Sequence, residues 1–175
     1  MNTIKTRRLI KALEELSSDD ISQVARGLTA AIRMEKESVM FYSKHAEKAS
    51  NRDFGAFFLW LAEQEREHYR VLSRLKKSLK KSGSYEVTKL SAKHGPKLFT
   101  KEELLTEHED SITPILFALW KEKQAEEFYI KASKKVKAKP LKRLFKALAR
   151  FEREHAEYLE EYVEHSFYSR ELIMG

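Results

Sequence analysis

The sequence predicts an all-α protein: a four-helix bundle made of two duplicated helical hairpins joined by a long crossover, with a short helix in front. Three observations carry this. The 175 residues include only 5 Gly and 3 Pro, under half the usual combined share of roughly 12%, so turns are few and helices long. Apolar residues recur in steps of three and four over long stretches, the spacing of one helix face. The chain also repeats itself. Shifted by 87 residues, positions 35–72 fall on 122–159 with 14 of 38 identities, and Glu65-Arg66-Glu67-His68 lands on Glu152-Arg153-Glu154-His155. One domain suffices for a chain of this length.

The elements follow in order. Residues 1–17 hold Ile4, Leu9, Ile10, Leu13 and Leu16 at near-helical spacing, an amphipathic N-terminal helix set apart from a bundle assigned to 18–170. Ser17-Ser18-Asp19-Asp20 offers an N-cap to a first long helix striped by Leu28, Ile32, Val39, Tyr42 and Ala46 and broken at Ser50-Asn51-Arg52-Asp53. The second carries Phe54, Phe57, Leu61, Leu72, Leu75 and Leu79 and stops at Ser82-Gly83-Ser84. The crossover spans about 83–112, with Gly83, Gly95, Pro96 and a short helix whose Thr100 and Glu103 form a capping box. Thr113 caps a third helix with Pro114 in its first position and Ile115, Ala118, Ala125, Tyr129, Ala132 and Val136 inside. Pro140 opens a fourth, striped by Leu141, Leu144, Leu148, Leu159 and Tyr162 and expected to end near Ser169, leaving 171–175 as a tail.

Composition narrows the chemistry. With no cysteine, disulfides, zinc–thiolate sites, iron–sulfur clusters and rubredoxin-type iron centres are excluded, and any metal must use His, Glu or Asp. The opening Met1–Arg8 lacks the apolar core of a signal peptide, and no apolar run reaches the length of a membrane span. A cytoplasmic location, away from membranes, is expected.

The repeated residues include six that interrupt the apolar stripes: Glu35, Glu65, His68, Glu122, Glu152 and His155. In a hairpin turning near 51, Glu35 lies 16 residues before the turn, while Glu65 and His68 lie 14 and 17 after it. At about 1.5 Å per residue these meet at one level. The second hairpin, turning near 139, repeats this with Glu122 17 before and Glu152 and His155 13 and 16 after. Glu-x-x-His puts carboxylate and imidazole on one helix face. In so charged a sequence, a single copy belongs to a solvated surface; two copies, each opposite an inward Glu, point to a buried site. Four buried carboxylates without counter-charge would cost several kcal/mol each, on the order of a fold's whole stability. Two divalent metals supply four positive charges, and neutral histidines complete the coordination.

One Glu from each of two helices and Glu-x-x-His from the other two resembles the ferritin-like di-metal carboxylate signature. Glu35-x-x-Ser38-x-x-Phe41-Tyr42 and Glu122-x-x-Ala125-x-x-Phe128-Tyr129 look like the helix 1 and helix 3 motifs of rubrerythrin-related proteins. The resemblance covers roughly residues 20–170. It implies a ferritin-like bundle in which Glu35 and Glu122 are terminal ligands, Glu65 and Glu152 bridge two irons, and His68 and His155 bind one each. Tyr42 and Tyr129 are expected to donate hydrogen bonds to the carboxylates. Two departures stand out. Ala125 occupies the position where rubrerythrins carry an extra carboxylate, with Glu126 one place off and expected to face outward. Bacterioferritin matches in ligand number, but the residue after its helix 2 ligand is typically a haem-binding Met and here is Arg66, so no haem is expected.

The resemblance implies a di-iron oxidoreductase that reduces hydrogen peroxide or dioxygen, with manganese as an alternative metal. Without a rubredoxin domain its electrons come from an external donor. A ferroxidase that sequesters iron is the alternative, and a helical interaction module with a structural metal site is a second. Charge bears on partners. Residues 70–101 hold 10 Lys or Arg against one acid, and 131–150 hold nine against none, although the formal net charge is +7. A crossover that makes helices 2 and 3 parallel brings both runs to one basic pole, suited to an acidic rubredoxin or ferredoxin. No aromatic-studded basic motif supports nucleic-acid recognition. Trp60 and Trp120 read as packing or dimer contacts; a homodimer, with helices exchanged or not, is expected.

Overall fold

The structure, a computed structural model, describes residues 18–50, 52–82 and 112–174. The helix expected within 1–17 and the crossover through 111, with its Thr100 capping box, lie outside the described residues. Four helices fill the rest: α1 (Ser18–Lys48), α2 (Arg52–Ser82), α3 (Ile112–Lys135) and α4 (Lys139–Met174). Together they form an all-α, ferritin-like four-helix bundle.

The boundaries have local causes. The Ala49 amide donates to the Ala46 carbonyl at 3.4 Å, closing the last turn of α1 before the chain reverses at Ser50. Ala138 accepts from Lys142 at 3.0 Å just ahead of α4, so Pro140 sits in the first turn, where its missing amide costs nothing. Two sequence expectations are corrected. α3 begins at Ile112, with Pro114 inside its first turn rather than leading it. α4 runs past Ser169 through the residues assigned to a tail, because Arg170-Glu171-Leu172-Ile173-Met174 contains no helix breaker before Gly175.

α1 packs along α2 and α3 along α4, whereas α1 and α3 touch sparingly. Side-chain pairs give the directions. Tyr42 meets Glu122 and Tyr129 meets Glu35, so each step forward on α1 is a step back on α3. His155 faces Glu65 and Glu152 faces His68, making α2 and α4 antiparallel as well. α1 and α2 are antiparallel by their tight turn; α2 and α3 therefore run parallel, and the end of α2 shares a pole with the α3–α4 turn.

The core is two clusters. At the pole of the α3–α4 turn, Leu28, Leu72, Leu75, Leu141, Leu144 and Leu148 pack with Tyr129 and Phe145. At the pole of the α1–α2 turn, Tyr42, Phe54, Phe57, Phe58, Leu61, Ile115 and Leu159 form an aromatic-rich cluster, with Phe54 and Phe58 centroids 4.6 Å apart. Between them lies a layer of buried polar residues. Every stripe residue named for α2 and α4 is buried; Ile32, Val39, Ala46, Ala132 and Val136 are half-buried.

Gly55 has a packing reason that Gly27 lacks. A Cβ at Gly55 would stand 3.3 Å from the Ala46 carbonyl oxygen and from Ala49 Cβ, in the last turn of α1, while one at Gly27 would meet nothing within 4 Å. Gly27→Ala should therefore stabilise the protein by about 0.5–1 kcal/mol through helix propensity. Gly55→Ala should gain nothing, because helix propensity is offset by crowding of main chain that cannot swing away. Urea denaturation of the two variants checks the contrast.

Candidate metal centre

Glu35, Glu65, His68, Glu122, Glu152 and His155 form the polar layer, none more than 2% exposed. The structure brings all six together. The Nδ1 atom of His155 lies 3.0 Å from Glu65 Oε1, 3.3 Å from Glu122 Oε2 and 3.7 Å from Glu152 Oε2. That of His68 lies 3.2 Å from Glu152 Oε1, 3.6 Å from Glu65 Oε2 and 3.7 Å from Glu35 Oε2. Glu65 and Glu152 thus turn one oxygen to each imidazole, while Glu35 serves only the His68 side and Glu122 only the His155 side. The result is two donor groups, Glu35-Glu65-His68-Glu152 and Glu65-Glu122-Glu152-His155, sharing Glu65 and Glu152. Glu65 and Glu152 could thus serve both donor groups, and Glu35 and Glu122 one each.

The donor set fits divalent cations. Glu65 Oε1, His68 Nδ1 and both oxygens of Glu152 are fully buried and make no hydrogen bond despite near neighbours. Lone pairs that converge without donors between them are costly unless a cation sits among them. Oxygen and imidazole donors suit iron, manganese or zinc, and the absence of thiolates removes the soft-metal alternatives.

The terminal carboxylates are held from the opposite hairpin. Tyr42 Oη donates to Glu122 Oε1, and Tyr129 Oη donates to Glu35 Oε1. Each of these glutamates therefore has one oxygen tied and the other turned to its imidazole, which sets how it can bind a metal. Burial and the surrounding carboxylates push both phenols well above the usual tyrosine range. They remain donors at any working pH.

Charges in the layer are coupled. Burial, then Glu152 and Glu65, push Glu35 well up; burial and Glu65 do the same to Glu122. Burial alone would lower His68 and His155, but the facing carboxylates carry both well above the ordinary imidazole value. Burial would raise Glu65 and Glu152, yet Glu35 beside Glu65 and the imidazoles facing both hold them low. In the absence of a metal, protons supply the counter-charge that cations supply when bound.

Ring walls distinguish the two sides. Trp60 meets His155 edge-on at 5.5 Å, and Phe151 meets His68 at 5.5 Å. Neither wall is repeated: 87 residues on from Trp60 stands Ala147, and 87 before Phe151 stands Gln64. The identity-based repeat could not reveal them. Trp60 packs inside as expected, whereas Trp120 is 57% exposed and stacks on Phe117. Ser38 and Ala125 are buried on the α1 and α3 faces one turn past Glu35 and Glu122. Glu126, expected to face outward, is half-buried and belongs to neither donor group, accepting instead from Arg153 Nε at 2.8 Å. His45 lies against Phe41 away from the layer, while His94 and His108 lie outside the described residues.

The rubrerythrin family model matches residues 27–172, and the chain belongs to that family. No curated protein and no solved structure matches it.

Metal binding must expel the protons held by Glu35, Glu122, His68 and His155, so affinity should climb with pH from the carboxylate range to beyond the ordinary imidazole value. Calorimetric titration in buffers of differing ionisation enthalpy should show net proton release near neutrality. Tyr42→Phe should weaken binding on the Glu122 side by about 10–100-fold, as loss of a carboxylate-holding donor does.

Proposed function

We propose that this rubrerythrin-family protein is a non-haem di-iron oxidoreductase that reduces hydrogen peroxide, and more slowly dioxygen, with electrons from an external donor. The observation that carries the reading is the sharing of Glu65 and Glu152 between two donor groups, which would hold two metals side by side. Bound there, a pair of irons supplies the two electrons that convert hydrogen peroxide and two protons to two waters.

The residues provide the remainder. Glu65 and Glu152 each face both imidazoles, so each would offer an oxygen to either side of the centre. Tyr42 and Tyr129 keep the terminal glutamates aligned. The apolar clusters on either side of the layer exclude bulk water, which strengthens electrostatic interactions inside it.

The charge pattern favours this reading over iron storage. Nine Lys or Arg and no acid over 131–150 repel ferrous ions and attract an acidic carrier. Met40, Leu116, Phe117 and Trp120 are exposed and are the apolar face on which we place the homodimer contact. Among the described residues, no helix is long and apolar enough to cross a membrane.

Anaerobic ferrous titration of the metal-free protein should saturate at two ions per chain, and Glu65→Ala or Glu152→Ala should abolish uptake at both positions. Stopped-flow oxidation of the loaded protein should run at least about tenfold faster with peroxide than with dioxygen, a margin of about 1.4 kcal/mol in barrier. Continued iron uptake beyond two per chain, with assembly into a large cage, would instead establish the storage role.

A further inference from the structure

The two poles of the bundle are filled differently. At the α1–α2 turn the ring of Phe41 is covered by His45 and Phe117, with centroids 4.4 and 5.2 Å away. Shifted by 87 residues, Phe41 becomes Phe128 and His45 becomes Ala132, while the counterpart of Phe117 is Ala30. Two rings at one pole are two methyl groups at the other. Beside Ala132, where α1 meets the α3–α4 turn, lies a pocket of about 370 Å³ with an apolar interior of Val24, Phe128, Ala132, Val136, Leu141 and Phe145. Gly27 adds to its wall, where a Cβ would meet nothing within 4 Å. The volume is that of a small-molecule site, roughly 300–1,000 Å³.

The pocket is also cationic at its rim. Arg26, Lys131, Lys135 and Lys137 line it and no acidic side chain does, although Lys131 pairs with Glu127 one turn back. Lys131 and Lys135 have Lys44 and Lys48 as counterparts, whereas Arg26 and Lys137 stand where the other half has Thr113 and Ser50. The pole with two rings fewer thus has two cations more. An apolar hollow rimmed by cations suits an amphipathic anion, whose chain leaves water inside while its head stays at the surface among opposite charges. A polyanion has no apolar part to fill the hollow. The chain's own residues 1–17 have apolar side chains to offer but carry four Lys or Arg against two Glu, the sign of the rim itself. None of the six residues of the polar layer lines the pocket, and Phe145 stacks on Tyr129 at 6.1 Å between the two.

We propose that this pocket is a binding site for a straight-chain aliphatic carboxylate, with its alkyl chain between Phe128 and Phe145 and its carboxylate among Arg26, Lys135 and Lys137. The site is separate from the metal centre and needs no metal to form. Its affinity follows two independent rules. Each methylene drawn into the pocket adds apolar burial, so binding tightens with chain length until the hollow is full. The head group adds attraction to exposed cations, so binding weakens with salt.

Calorimetric titration of the full chain, metal-free, with hexanoate, octanoate and decanoate at low salt tests this. One site per chain should appear, with affinity rising about fourfold for each added methylene. Decanol, with the same chain and no charge, should bind at least about threefold more weakly than decanoate. Ala132→Phe puts a ring where His45 places one at the opposite pole, so the variant should fold, as circular dichroism would verify, and should lose decanoate binding by about tenfold or more. Lys135→Gln/Lys137→Gln should weaken decanoate about three- to tenfold and leave decanol unchanged, while Lys44→Gln/Lys48→Gln, the same charge change at the other pole, should alter neither. The two charge variants decide the matter even if Ala132→Phe fails to fold. No binding to the unmodified chain, affinity independent of chain length, undiminished binding in folded Ala132→Phe, or equal losses in both charge variants would overturn the proposal. So would binding that appears only after deletion of residues 2–16, which would assign the pocket to the chain's own N-terminal segment.

Discussion

Four glutamates at one level of an apolar bundle are the constraint on which the remainder of this structure depends. A carboxylate deep in a core loses its hydration and is tolerated only beside a compensating charge. Here Glu35, Glu65, Glu122 and Glu152 are all buried; two imidazoles, and any bound cation, supply charge, and two phenols donate hydrogen bonds. The layer divides the core into two clusters, so no apolar seam runs the length of the bundle. It also changes what joins the hairpins. α1 and α3 pack sparingly, and Tyr42 to Glu122 and Tyr129 to Glu35 are bonds between them. The bonds that align the metal ligands therefore also hold the halves in register.

Much of this was legible because duplication writes the same answer twice. One Glu-x-x-His in a lysine- and glutamate-rich chain is ambiguous; the second copy, with Glu35 and Glu122 equally far from their turns, makes the level of all six residues a matter of helix rise. Other features depend on contacts that a single strand of sequence does not contain. Tyr42 lies on the stripe of Glu35, but seven residues of helix separate them by about 10 Å, too far for a hydrogen bond. Its partner had to come from the antiparallel helix, 80 residues away. The end of α4 was misplaced because a tail was expected where the sequence offers no breaker. Trp60 and Phe151 escaped as walls of the site because a search for identities passes over the positions where the halves differ.

Those differences give the centre its direction. The six residues obey the internal two-fold relation, so the two donor groups hold the same residue types. Their surroundings do not: His155 meets an indole whose buried Nε1 has no hydrogen-bond partner, and His68 meets Phe151. A site with symmetric ligands in asymmetric walls can hold two metals of equal coordination yet unequal accessibility and potential, since burial and nearby dipoles tune both.

The charge distribution follows the same division. A formal net charge of +7 hides the placement of the cations, which gather over 70–101 and 131–150, while residues 44–63, the counterparts of 131–150, carry acids among their bases. Had selection acted only on solubility, either sign on either hairpin would have served, as net charge and not its placement keeps a protein dispersed. Placement matters when something must approach from a particular side. The asymmetric walls and the asymmetric charge coincide at Phe151, the residue that touches both His68 and the cationic side chain of Arg150. Duplication built two donor groups of like residues, and divergence around them gave each a different wall.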